Sequence, residues 1–446
     1  MSNTETLLND QNSSDYTLVR AELNSSRAIR PIDVVNVVTD FEIYEHITKP
    51  YLTGRVVLSD QQRLFDRFDF QGAETFELEV GRVEGGEIKN VVKKFIVDRV
   101  EHVVKTNESS AALVLHLIED IAMSSVLKNV NKCMQGQPHE IISQIANEYL
   151  GKEVTSAFEE NVANNMKVIV PNLSPVDAML WILRRALSKE GMPYFLWSSF
   201  TTDYLNLYDL GTLMRQNVLN EKFPFTNLPA QGSFDLTNRM FQIKDYKYSG
   251  NENLLSMVKQ GLIGGNHSYF DVTNGTFEKV KFNIHDDVYP NVYELNKRQQ
   301  KFTVSPNLAV DDVTISDYVS EYCSYVYASK GFSNTKSYSE ENDEASHKKK
   351  VMAKTYQELL TKTPIEISVD GREFLIGGEN MTCGNQIKVL FKASGDRAAD
   401  LKIDIKMSGD YLIHACRHVF SKEKYYTQML LTKMSNYNSD DMPGGA

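Results

Sequence analysis

The spacing of apolar residues changes period along the chain. From Tyr16 to Asp120 it runs in short bursts near period two. These include Thr17-Leu18-Val19-Arg20-Ala21-Glu22-Leu23, Leu52-Thr53-Gly54-Arg55-Val56-Val57-Leu58 and Thr75-Phe76-Glu77-Leu78-Glu79-Val80. Phe95-Ile96-Val97-Asp98-Arg99-Val100 and Ala112-Leu113-Val114-Leu115-His116-Leu117 follow. Turn formers such as Gly85-Gly86 and Asn107-Glu108-Ser109 separate them. Roughly five or six short strands at this spacing predict a small sandwich or barrel.

The middle of the chain mixes periods. Ile141, Ile142, Ile145, Ala146 and Tyr149 fall on one helical face after Pro138, and Gly151 supplies the stop. A second helix has a sharper start: Ser174 can cap, Pro175 suits the first helical position and Asp177 the third. Val176, Met179, Leu180, Leu183 and Leu187 then form its stripe, and Gly191 and Pro193 end it. Tyr194-Phe195-Leu196-Trp197 and Tyr204-Leu205-Asn206-Leu207-Tyr208 predict a hairpin around Thr201-Thr202-Asp203. Residues 211–240 look loop-rich, 241–248 strand-like and 253–260 helical. The stretch 261–267 looks like a glycine-rich turn, with 270–288 strand-like again. A polar, charged run at 333–346 predicts a linker or exposed loop. A helix over 347–361, with Val351, Tyr356, Leu359 and Leu360 as apolar positions, leads into further strands after Pro364.

The expected division is therefore a flexible tail (1–16), a first β-barrel (17–120) and a mixed α/β middle (121–345). A helix with a second β-barrel (346–434) and a polar tail (435–446) complete it. The class is α+β and β-rich. A length of 446 residues supports more than one domain.

Composition narrows the function. A net charge of -11 argues against a protein that grips nucleic acid, which needs clustered Lys and Arg, though not against nucleic acid passing by. The first residues, Met1-Ser2-Asn3-Thr4-Glu5, lack the apolar core of a secretory signal. No run approaches the roughly 18 apolar residues of a membrane span. Cys133, Cys323, Cys383 and Cys416 are unpatterned, which predicts buried free thiols in a reducing compartment.

Candidate chemistry is sparse. His414, Cys416 and His418 alternate and would share one strand face. Such positions spread over roughly 13 Å, too wide for one ion without ligands from other segments. A half-buried packing face is the simpler account, and no metal or cofactor is expected. Asp98 with Glu101, Glu119 with Asp120, and Asp286 with Asp287 are the carboxylate pairs a glycosidase would need, but neighbours on a strand point to opposite faces. No G-x-S-x-G elbow occurs, and Gly261-Leu262-Ile263-Gly264-Gly265-Asn266 does not match a nucleotide fingerprint. The run Lys348-Lys349-Lys350 beside Glu340-Glu341-Asn342-Asp343-Glu344 is accounted for by local charge balance. No catalytic residue is assigned, and the chain is expected not to be an enzyme.

Two stretches carry a resemblance. One is Leu173-Ser174-Pro175-Val176-Asp177-Ala178-Met179-Leu180-Trp181-Ile182-Leu183, with Pro193-Tyr194-Phe195-Leu196-Trp197 and the strand at Tyr204. The other runs from Ile365-Glu366-Ile367 through Cys383-Gly384-Asn385 and Gly409-Asp410-Tyr411-Leu412-Ile413. It ends on His418-Val419-Phe420 and Tyr425-Tyr426-Thr427. In their order these pieces resemble the baseplate central hub proteins of contractile-tailed phages, and are similar to the N-terminal hub half of the type VI secretion spike protein. The family-matching positions are Gly384, Gly409, Tyr411, His418 and Tyr426.

The resemblance implies two similar small β-barrels per chain and a trimeric ring. Three chains then show six quasi-equivalent barrels, which adapts a threefold central spike to a sixfold tail tube around an axial channel for DNA. It implies a virion location in the tail baseplate, with assembly in the host cytoplasm. The partners it implies are a separate spike protein, tail tube or tube-initiator proteins and other baseplate proteins, with DNA only in transit. The chain ends after the second module, so the spike is expected on another polypeptide. An acidic channel lining is expected from the net charge of -11. Three other readings stay open: the hub of a phage-like contractile injection or type VI system, a tail-associated peptidoglycan hydrolase, and a carbohydrate-binding β-protein. With only Trp181 and Trp197, the last has little aromatic surface to offer.

Overall fold

The computed structural model describes residues 16–25, 30–60, 64–67, 70–72, 74–84, 87–104, 111–156, 166–186, 188, 190–221, 224–227, 241–249, 254–271, 276–296, 300–301, 309–317, 321–327, 344–361, 364–371, 382–391, 404, 407–421, 424–433 and 436–437. The first strand block contains β1 (Thr17–Asn24), β2 (Val38–His46), β3 (Thr53–Ser59), β4 (Thr75–Glu84), β5 (Glu87–Val104) and β6 (Ala111–Glu119). The helices α1 (Asp120–Val126), α2 (Pro138–Ile145) and α3 (Pro175–Leu183) follow, then strands β7 (Tyr194–Ser198), β8 (Leu205–Asp209) and β9 (Asp245–Tyr248). Next come β10 (Gly264–Asp271), β11 (Thr276–Asn283), β12 (Ala309–Val310), β13 (Val313–Thr314) and β14 (Glu321–Tyr327). The chain closes with α4 (Glu344–Leu360), β15 (Ile365–Asp370), β16 (Gln386–Leu390), β17 (Gly409–Ser421) and β18 (Lys424–Thr432).

The two strand blocks are one sheet. Its main path runs β9-β15-β18-β17-β2-β3-β6-β5-β4-β1, antiparallel throughout. Alternation drives it: β3 buries every second residue, and β17 buries His414, Cys416, His418 and Phe420 while the residues between are half-buried. The blocks meet where β17 pairs with β2, from Ala415 opposite His46 to Ser421 opposite Asp40. The layout is nearly symmetric about this seam. On one side β2 turns into β3, with β6 outside; on the other β17 turns into β18, with β15 outside.

The middle region has a core of its own. Ile141, Ile142, Ile145, Val168, Met179 and Ile182 pack there. Its helices start as their sequences direct. The Ser174 Oγ accepts from Asp177 N–H at 3.2 Å, and Gln137 and Glu140 form a capping box. Gly151, at φ +65°, closes the turn that extends α2. Strand β7 joins this core to the sheet. All five of its residues are buried: Tyr194 and Leu196 face the helical core, while Phe195 and Trp197 face the core of the sheet.

Several expectations change. The predicted turn at 261–267 is half strand: Gly261 turns at φ +70°, but Gly264 opens β10. Its backbone lies so close to Ser316 that a Cβ would come within 1.9 Å of the Ser316 carbonyl oxygen. The strand expected to 288 stops at Asn283, and Ile284–Asp287 is a helical turn. The stretch expected to be loop-rich contains a helix, Leu210–Arg215, capped by Asp209. Cys133 is exposed, whereas Cys383 and Cys416 are buried as expected. Residues 1–15 of the tail expected at 1–16 and the greater part of the polar run at 333–346 lie outside the described residues. Among the described residues no helix is long and apolar enough to cross a membrane.

Because β7 is buried on both faces, truncating it removes packing that neither core can replace. Leu196→Ala is expected to lower stability by about 2–5 kcal/mol. Urea denaturation followed by Trp fluorescence measures this.

Candidate functional site: the seam between the strand blocks

The seam has an inner and an outer face. On the inner face Phe41 of β2 stacks on Phe420 of β17, with centroids 4.2 Å apart, and Phe420 stacks on Tyr425 of β18 at 4.3 Å. Tyr16 closes the stack edge-on, 5.0 Å from Phe420. Beside it lies Glu45, fully buried on β2. One oxygen, Oε1, accepts from the Phe200 N–H at 2.6 Å, lies 3.1 Å from His418 Nε2 and 3.4 Å from the Ser199 hydroxyl. The other, Oε2, accepts from the Cys383 N–H at 3.3 Å. The second ring nitrogen of His418 lies 2.7 Å from the Tyr425 hydroxyl. His418 thus bridges the Glu45 carboxylate and the Tyr425 hydroxyl through its two ring nitrogens.

Burial opposes the charge on Glu45. The hydrogen bond and attraction of His418, with the Phe200 and Cys383 N–H groups, outweigh it and hold the carboxyl below its usual range. Burial pushes the thiols of Cys383 and Cys416 up. Ligand atoms of Glu45, Cys383 and Cys416 lie within 4.8 Å of one another, which is donor chemistry that zinc accepts. Yet both carboxylate oxygens already take hydrogen bonds, and burial keeps the thiols protonated. The trio packs as closed core.

The outer face carries the opposite chemistry. Arg417 of β17 grips Glu42 of β2 through two bonds of 2.8 and 3.1 Å and also donates to Gln428 at 3.0 Å. The Tyr44 hydroxyl donates to the same carboxylate. Burial raises the Glu42 pKa, but Arg417 and Tyr44 overcome this and hold it low. A concavity of about 510 Å3 opens on this face, lined by Tyr44, His46, Asp245, Glu366, Arg417 and Gln428 among others.

The residues singled out in the sequence divide among several roles. All three of His414, Cys416 and His418 are buried, but only Cys416 and His418 share the inner face of β17; a bulge between Ile413 and Ala415 takes His414 out of their alternation, and the three do not converge. His418 binds Glu45, Cys416 packs near Cys383, and His414 stands edge-on to His46 at 4.8 Å. Burial and the neighbouring His46 push the His414 pKa down to about 4. Gly384 turns at φ +88° with its Cα face against Trp197, where a Cβ would sit 2.3 Å from the indole. Gly409 has φ +145°, a region open to glycine. The Tyr411 hydroxyl donates to the Met407 carbonyl at 2.5 Å, and Lys244 lies over the Tyr426 ring at 4.4 Å.

The carboxylate pairs do not face one another across a cleft. Glu119 is buried and accepts from Leu52 N–H and the Ser198 hydroxyl. Glu101 pairs with Arg99 and His116 on the surface, and Asp287 pairs with Lys348. The Glu45–His418–Tyr425 relay has the residue types of an acid–base site, but His418 and Glu45 are fully buried, so no substrate reaches them. Sequence reasoning missed Glu45 and the Arg417–Glu42 pair. The available signal was a charged residue at the apolar parity of Phe41 and Ile43.

Two outcomes follow from this geometry. Glu45→Ala would strand His418 and two buried N–H groups and is expected to cost about 3–5 kcal/mol, measured by urea denaturation. His414 takes up a proton near 6.5 when unfolded but only near 4 when folded. Between these values the unfolded chain binds more protons, so stability is complete above about pH 6.5 and falls toward pH 4. His414→Leu should flatten that slope by at most about 1.4 kcal/mol per pH unit. Denaturation at pH 7, 6 and 5 tests it; parallel profiles would refute the assignment.

No protein-family model and no curated protein matches the sequence. Solved structures do. The tail protein from Neisseria meningitidis MC58 superposes with a TM-score of 0.53 at 12% identity, over 96% of this chain and 100% of that one. The 43 kDa tail protein of prophage MuSo2 from Shewanella oneidensis gives 0.52 at 9% identity, over 92% and 97%. At such identities the likeness is one of fold, and it extends over nearly the whole of each chain. The resemblance drawn from the sequence therefore holds in the architecture: this chain folds as those two tail proteins fold.

Proposed function

We propose that the protein is a structural hub of a contractile phage tail baseplate, a trimeric adaptor between a threefold spike and the sixfold tail tube. The observation that carries this reading is the near-symmetric pair of hairpins meeting at the β2–β17 seam, within a fold shared with tail proteins. Each half is a candidate attachment module, a small barrel completed by the strands outside its hairpin. Three copies then present six modules, and a closed ring of heterologous contacts leaves an axial channel. The spike and the tube are separate partners, and DNA passes without being held, in keeping with a net charge of -11.

A buried seam favours a structural role over a hydrolytic one. Its acid, histidine and tyrosine are spent on joining strands, and Glu119, Glu101 and Asp287 are held in separate backbone contacts and ion pairs. The expected mass in solution is that of a trimer of the 50.7 kDa chain, formed alone or on adding the spike protein. Multi-angle light scattering across concentrations reads this directly. A chain that stays monomeric with the spike present would exclude the hub. Lysis of cell-wall substrate in a zymogram would favour the hydrolase instead.

A further inference from the structure

One basic region stands out on this acidic chain. A cleft of about 520 Å3 opens between α3 and α4, floored by Pro193, Tyr194 and Phe195 and edged by Arg184, Lys350 and Lys354. The acidic residues at 340–343, expected to balance the Lys348–Lys350 run, lie outside the described residues. Lys348 pairs with Asp287 at 2.6 Å, while among the described residues Arg184, Lys350 and Lys354 have no carboxylate partner. Lys350 instead faces Arg185, whose guanidinium lies 3.8 Å above the Trp181 ring. Burial and that neighbouring cation both disfavour the charge on Lys350. The cleft thus combines an apolar floor with positive charge that no described carboxylate neutralises, the complement of an acidic, apolar segment.

The chain displays such a segment. Strands β12 and β13 form a two-residue hairpin whose tip is Val310-Asp311-Asp312-Val313. Asp311 and Asp312 both take left-handed backbone, at φ +50° and +60°, as the tight turn requires. Among the described residues neither has an ion-pair partner. Val310 is 52% exposed and Val313 40% exposed, so the tip presents apolar surface to solvent. Its base is anchored: Asp317 N–H donates to the Thr314 carbonyl at 2.9 Å, and Ser316 lies hard against Gly264. A rigid projection of this kind loses little freedom on docking.

We propose that the hairpin tip of one copy seats in the α3–α4 cleft of the next, valines on the floor and aspartates against Arg184, Lys350 and Lys354. Hairpin and cleft are different surfaces, so the contact is heterologous and propagates around a ring. The inference rests on the trimeric reading above and names an interface for it.

Four chains test it at one concentration and salt: the wild type, Asp311→Lys with Asp312→Lys, Lys350→Glu with Lys354→Glu, and the chain carrying all four changes. Far-UV circular dichroism and thermal unfolding establish that each folds. Each reversed pair should weaken the trimer by about tenfold or more in light scattering, and the fourfold chain should recover most of the loss. A trimeric wild type whose reversed pairs assemble unchanged, or a fourfold chain no better than either pair, overturns this interface and leaves the hub reading standing. A wild type that is monomeric with the spike present overturns both.

Discussion

The carboxylate of Glu45 is the constraint on which the arrangement depends. It is a fully buried charge, and such a charge is tolerated only when hydrogen bonds replace the water it has lost. Its partners come from distant parts of the chain: Ser199 and Phe200 after β7, Cys383 before β16, and His418 on β17. Moving any of these segments strands either the anion or its donor. One side chain therefore ties the first strand block, the middle region and the closing block to a single geometry. The aromatic stack beside it adds contact area, but stacking tolerates sliding and charged hydrogen bonds do not.

The seam and β7 divide the work of assembly. The seam joins strands edge to edge through backbone pairing, with Arg417 and Glu42 holding the register from the outer face. Strand β7 joins cores face to face, sending alternate residues into the helical core and into the core of the sheet. Both depend on period-two alternation, so a slip of one residue would bury the wrong set on each side.

Local structure was legible in the sequence where period and punctuation agreed. Ser174-Pro175 announced α3, Gly151 ended the helix before it, and the apolar run Tyr194-Phe195-Leu196-Trp197 announced the first strand of a hairpin. The partner of each strand was not legible. Arg417 and Glu42 are 375 residues apart, and no local rule links them. The face shared by Cys416 and His418 was visible, but the bulge at His414 was not, and their separate fates depend on what β2 and the loops bring opposite. The charge balance of the lysine run is not legible in the fold, because the acidic residues at 340–343 lie outside the described residues. Charge balance along the chain says nothing about which lysine a neighbouring helix leaves facing Arg185.

A symmetry adaptor has a mechanical requirement that the seam meets. If two modules of one chain are to occupy quasi-equivalent places in a ring, the angle between them must be the same in every copy. A flexible linker would let that angle drift, and the ring would close with scattered geometry. Here the modules share a hydrogen-bonded sheet, so the angle is set by sheet twist and by a pairing that runs from Ala415–His46 to Ser421–Asp40. A bulge opposite Leu430–Leu431, where β17 carries His414, adjusts the path of the strand as it enters this pairing. The buried polar cluster then removes alternative registers, because only one register places Glu45 against His418. In the proposed ring this makes the seam the rigid part and leaves contacts between copies to surfaces elsewhere on the chain. An interface of charged tips and clefts suits that division, since it can form late, between modules whose internal angle is already fixed.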